Sequence, residues 1–60
     1  MSDRLAYSIA SAAEVADISV SLLRRKIANN ELTVRYIDSK PVVLAEELKA
    51  WLLALPTETK

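Results

Sequence analysis

The 60-residue sequence contains no cysteine, no histidine and no glycine. Without cysteine there is no disulfide, and without either cysteine or histidine there is no Cys/His zinc site and no Cys–His or Ser–His nucleophile. We therefore expect no enzyme, no metal and no cofactor. Without glycine, any position that needs a positive φ must be filled by Asn or Asp, the next most tolerant residues.

Long apolar runs and net charge are also lacking. No apolar segment is long enough to predict a membrane span, and the opening residues MSDRLAYS lack the apolar stretch of a signal peptide, so we expect a cytoplasmic protein with no membrane partner. With 52% apolar and 27% charged residues, the composition is that of a globular chain. The length predicts one domain over residues 1–60, with flexible ends at 1–6 and 56–60.

The zero net charge hides an uneven distribution along the chain. Residues 19–40 hold five cations and two carboxylates, a net charge of +3, and the rest of the chain carries −3. A basic middle third can attract phosphate even when the whole chain is neutral.

The first half of the chain predicts two helices and a tight turn. Ser8 can cap a helix over SIASAAEVA, in which Ile9 and small alanines repeat at helical spacing. Asp17 lies where a turn of about three residues is needed, and Ser19 can cap the second helix. Alanines on the first helix suit close approach by the second.

The second helix has an inner and an outer side. Leu23 and Ile27 are expected to face the core, with Asn29 and Asn30 as the helix stop and Leu32 returning to the core. The outer side is predicted to carry Ser21, Arg24, Arg25 and Ala28, with Val20 at its exposed N-terminal end.

The second half predicts a β-hairpin over residues 33–44 and a helix over 45–55. Lys40 is expected at or near the hairpin tip, Pro41 at an edge or non-ladder position, and Tyr36 packed behind the hairpin. The first turn of the last helix carries two carboxylates that favour its dipole. Its predicted apolar stripe is Leu48, Trp51, Leu52 and Leu55.

This order, two short helices around a tight turn, then a hairpin and a packing helix, is that of a winged helix-turn-helix, a mainly α fold with a small β-hairpin. The chain resembles the small phage-type excisionases and MerR-like DNA-binding domains over residues 7–52. The resemblance rests on Tyr7-Ser8-Ile9, Ala12-Ala13-Glu14, Ile18-Ser19, Ser21, Leu23, Arg25, Ile27, Glu31-Leu32, Lys40, Val43 and the closing EELKAWL. The family commonly has Gly where Asp17 and Asn30 stand here.

The resemblance implies a sequence-specific DNA-binding protein. Residues 19–29 would be the recognition helix in the major groove, with Ser21, Arg24 and Arg25 at contact positions and Lys40 on the wing. The full set of candidate DNA-binding residues is Ser19, Val20, Ser21, Arg24, Arg25, Lys26, Arg35 and Lys40. An excisionase bends attachment-site DNA and directs an integrase towards excision, so the implied partners are double-stranded DNA, an integrase and further copies of the chain, near the nucleoid of a bacterial host.

Two alternatives stay open at this point. A small transcriptional regulator can use the same fold and the same contacts. A protein interaction module would instead dock a partner on the apolar C-terminal helix, with Leu53 as an exposed contact, and its arginines would only be a solvated helix face.

Overall fold

The computed structural model describes residues 4–57, which form three helices and a three-stranded antiparallel sheet, a small α+β domain. The elements, in chain order, are β1 (Ala6–Ser8), α1 (Ile9–Ala16), α2 (Val20–Ala28), β2 (Arg35–Ile37), β3 (Lys40–Leu44) and α3 (Ala45–Ala54).

Side-chain caps begin the first two helices, as the sequence predicts. The Ser8 hydroxyl accepts from the Ser11 amide at 3.1 Å, and the Ser19 hydroxyl accepts from the Leu22 amide at 3.0 Å. Each bond satisfies one of the amides that a helix N-terminus leaves without an intrahelical partner. The three residues between α1 and α2 therefore form a turn that ends at the Ser19 cap of α2.

Residues in the left-handed conformation end the same two helices. Asp17 follows α1 with φ of 63°, and Asn30 follows α2 with the same φ. The Ile18 amide then donates to the Ala13 carbonyl at 2.9 Å, and the Glu31 amide donates to the Lys26 carbonyl at 2.9 Å. This is the Schellman arrangement, in which glycine is usual and Asn or Asp is the substitute.

The sheet has the strand order β1-β3-β2, and β1 is the element that sequence reasoning missed. Tyr7 of β1 pairs with Val43, and the Ala45 amide donates to the Leu5 carbonyl at 2.9 Å. Leu5 and Ala6, predicted to belong to a flexible end, are thus hydrogen-bonded into the domain. Residues 1–3 and 58–60 of the two predicted ends lie outside the described residues.

Pro41 lies in the central strand, at a point where only β2 runs alongside. Its partner is Tyr36, next to the Ile37–Lys40 pair that closes the two-residue turn. Hydrogen-bonded and non-hydrogen-bonded pairs alternate in an antiparallel ladder, so the missing donor of Pro41 falls at a non-hydrogen-bonded pair with β2. The pairing with β1 starts one residue later, at Val42.

One core joins all three helices to the central strand. Leu23 and Val43 are its largest fully buried side chains, and Ala12 and Ala13 allow α1 and α2 to approach closely. The cluster consists of Ile9, Ala12, Ala13, Leu23, Leu32, Val43 and Leu48, with Tyr7, Ala16, Ile18, Ile27 and Trp51 packed against it.

The predictions for α3 and Tyr36 need correction. Leu48 is buried and Trp51 packs on the core, but Leu52 and Leu55 are exposed. The buried part of the apolar stripe therefore ends at Trp51, because no element within residues 4–57 covers Leu52 and Leu55. Tyr36 is 66% exposed and does not pack behind the hairpin.

Candidate nucleic-acid interface

The outer side of α2 carries two exposed guanidinium groups, those of Arg24 and Arg25. Ser21, Arg24, Arg25 and Ala28 are all exposed, while Leu23 on the opposite side has no exposed surface. Within residues 4–57 neither arginine makes an ion pair. The structure therefore brings together the residues that the sequence predicts at the main contact positions.

The N-terminal end of α2 is also exposed, but it offers fewer free polar atoms to a ligand. Ser19 is exposed, and its hydroxyl oxygen is occupied by the Leu22 amide. Its hydroxyl proton stays available to a phosphate oxygen. Val20 is exposed and offers an apolar contact only.

Lys26 lies away from the outer side of α2. Its side chain is half-buried, and its Nζ lies 3.5 Å from the Glu31 carboxylate. At about 100° per residue, position 26 is closer to the buried Leu23 than to Arg25 around the helix. Its charge is thus partly compensated, and it helps to hold the loop that follows α2.

Arg35 is engaged by the last helix. Its Nη2 donates to Oε2 of Glu47 at 2.7 Å, which links β2 to α3. The hydrogen bond and charge of this carboxylate raise the pKa of Arg35 above its ordinary value, so the guanidinium stays charged. No local sequence pattern predicts that these two residues, twelve positions apart, are in contact.

Lys40 opens β3, directly after the turn at Asp38 and Ser39. It is exposed and has no ion pair within the described part of the chain. The turn is possible without glycine because Asp38 takes φ of 55°. An ammonium at this position can reach a phosphate as a flexible point charge.

An open groove separates α2 from the hairpin. Its volume is about 190 Å³, and Arg24 lies on one wall with Tyr36 and Pro41 on the other. The remaining lining residues are Ile9, Ile27, Ala28 and Val34. The cationic outer side of α2 and the hairpin are therefore neighbours, but they are not packed tightly together.

A second surface, on α3, is apolar. Leu53 is 76% exposed, and with Leu52 and Val15 it lines an open cavity of about 450 Å³. Val15, on α1, is a member that sequence reasoning missed, because it belongs to no predicted apolar stripe. Arg4 and Lys49 also line this cavity, and the Arg4 guanidinium lies 4.7 Å from the Tyr7 ring centroid.

Two further features are absent from residues 4–57. No three carboxylates there are grouped so as to hold a metal ion. None of the helices in this range combines the length and hydropathy needed to cross a membrane. Glu46 and Glu47 lie in the first turn of α3, as predicted, and Glu47 is bound to Arg35.

No family model, curated protein or solved structure matches this chain in the three comparisons made.

Proposed function

We propose that the protein binds double-stranded DNA as a small winged helix-turn-helix protein, with α2 as recognition helix and the β2–β3 hairpin as wing. The observation that carries the proposal is the pair of exposed arginines, Arg24 and Arg25, which make no ion pair within residues 4–57 and lie on the outer side of a helix that follows a three-residue turn. Arginine donates two parallel hydrogen bonds to guanine or to phosphate.

The hairpin supports the same proposal. Lys40 is exposed without an ion pair in the described range, and the hairpin stands beside the helix that carries the arginines. A cation there suits a phosphate or the negative potential of the adjacent minor groove. Ser19, Val20 and Ser21 contribute secondary contacts at the helix N-terminus. Lys26 contributes less to the attraction of DNA, because Glu31 partly compensates its charge.

The biological role that we propose is architectural. Copies bound at neighbouring sites would bend attachment-site DNA in a bacterial cell and bias an integrase towards excision. The exposed apolar surface around Leu53 supports contact between such copies. A small transcriptional regulator would show the same DNA binding, and only an excision assay with an integrase separates the two roles.

The DNA proposal is tested by Arg25→Ala in a mobility-shift assay on a duplex selected from a random-sequence pool. Loss of a bidentate contact to guanine should weaken binding about five- to 150-fold. Lys49→Ala is the matched control, because Lys49 is an exposed cation on α3. Equal losses for the two variants would reject α2 as the recognition helix.

A second candidate, a protein interaction module, is favoured by the exposure of Leu53 alone. It predicts that the protein binds no duplex DNA even at low salt. Salt-sensitive DNA binding that depends on Arg25 would exclude it as the main function.

A further inference from the structure

Burial does not hold β2 in place. All three of its residues, Arg35–Ile37, are exposed, and its backbone partner is β3 alone. β3 is anchored by its buried Val42 and Val43 and by its pairing with β1, so one strand of the hairpin is held on the core. Within residues 4–57, β2 has the β3 ladder alone, so a contact between β2 and a helix adds a constraint on the position of the outer strand and the hairpin tip.

The two faces of the hairpin have different neighbours. Tyr36 and its partner Pro41 share the face towards α2, where the open groove of about 190 Å³ lies. Arg35 and its partner Val42 share the other face, because side chains alternate along a strand. Since the groove is open, packing against α2 cannot set the distance between the hairpin and that helix.

The link from Arg35 to Glu47 supplies a constraint on the other face. Within residues 4–57 it is the only side-chain hydrogen bond or ion pair that joins β2 to a helix. The Glu47 side chain is only 27% exposed, and within residues 4–57 its buried Oε1 has no hydrogen-bond partner, so the hydrogen bond of this carboxylate comes from Arg35 through Oε2. A charge-assisted bond of 2.7 Å to such a group orients Arg35.

We propose that Arg35 and Glu47 form a clasp that positions the hairpin, and that Arg35 is a positioning residue rather than a DNA contact. The clasp sets the separation between Lys40 on the hairpin and the two arginines of α2, so that all three cations meet one duplex together. This inference rests on the proposed DNA binding, and it replaces the DNA contact predicted for Arg35 with a positioning role.

The sign of one mutational effect distinguishes the two roles. If Arg35 binds phosphate, Glu47 competes for it, and Glu47→Gln should raise DNA affinity. If the pair is a clasp, Glu47→Gln loosens the hairpin, and affinity should fall about three- to tenfold, the cost of ordering one or two groups on binding. Glu46→Gln makes the same charge change on the same helical turn, at an exposed residue, and is the matched control.

A charge swap tests the clasp from the other side. Arg35→Glu combined with Glu47→Arg restores the pair and should restore affinity to within about twofold of wild type, with an unchanged salt dependence. If Arg35 contacts phosphate, the swap stays weak and the slope of log K against log salt falls by about one.

Hydrogen exchange of the free protein tests the clasp in the absence of DNA. The amides of β2 should exchange several-fold faster in Glu47→Gln, with the amides of α2 unchanged and the charge swap returning β2 to the wild-type rate. Unchanged exchange in β2 would overturn the clasp, whether or not DNA binds. A wild-type protein that binds no duplex DNA, with the exchange effect present, would reject the proposed function and the DNA role of the clasp, leaving only a structural one.

Discussion

Residues of one type have different roles in this protein, and their surroundings decide which. Arg25 is exposed and unpaired in the described chain, whereas Arg35 is hydrogen-bonded to Glu47. Lys26 follows Arg25 directly but turns towards Glu31. The three adjacent cations therefore do not form one patch: Arg24 and Arg25 share the outer side of α2, whereas Lys26 lies about 100° beyond Arg25, towards the side of Leu23.

The leucines differ in the same way, because some are buried and others are exposed. Leu23 has no exposed surface, so Leu23→Ala should lower the free energy of unfolding by about 2–5 kcal/mol, most of the reserve of so small a domain. Leu53→Ala, at a residue 76% exposed, should change it by less than about 0.5 kcal/mol. Thermal melts of both variants measure these changes. Similar midpoints would mean that Leu23 is not buried and that the inner and outer sides of α2 are assigned wrongly.

Both α1 and α2 end without glycine. Asp17 and Asn30 each hold a left-handed conformation that a side chain with a Cβ disfavours. In each case the two backbone bonds of the Schellman motif offset that cost. The direction in which the chain leaves α2, towards the hairpin, depends on Asn30.

Asn30→Gly should therefore stabilise the domain, by a few tenths to about 1 kcal/mol, because glycine takes a positive φ without strain. The neighbouring Asn29→Gly is the control, since Asn29 has φ of −86° and should lose stability through the added freedom of the unfolded chain. Denaturant unfolding compares them. A loss of stability in both variants would contradict the argument from strain.

The ends of the first two helices could be predicted because they depend on local sequence signals. The caps at Ser8 and Ser19 and the stop at Asn30 depend on neighbours within a few residues, so the pattern alone gives them. β1 has only three residues and exists because β3 lies beside it. The Arg35–Glu47 bond likewise requires the tertiary fold, which no local pattern carries.

At the scale of the whole molecule there are two surfaces with different chemistry. The cationic one consists of Arg24, Arg25 and Lys40, and the apolar one consists of Val15, Leu52 and Leu53. They share no residue, so a copy bound to DNA by the first can contact a neighbouring copy by the second. Such contacts would make loading on adjacent sites cooperative.

Leu53→Glu should remove that cooperativity and leave the first binding event unchanged. On a duplex with several adjacent sites, the wild-type protein should form its later complexes at little more than the concentration that gives the first. The variant should need several-fold more protein for the later ones, whereas Ala54→Glu, which introduces a glutamate at an exposed position about 100° around α3 from Leu53, should not. Independent loading by the wild type would reject self-association on DNA.

The salt dependence of duplex DNA binding is the sharpest test of whether the cations of α2 and the hairpin contact DNA. If two or three of Arg24, Arg25 and Lys40 meet phosphates, log K should fall against log salt with a slope between roughly −1.8 and −2.7. Affinity should then drop about 12- to 40-fold between roughly 50 and 200 mM salt. No binding at the lowest salt, or an affinity that does not change with salt, would contradict the assignment of this surface to DNA.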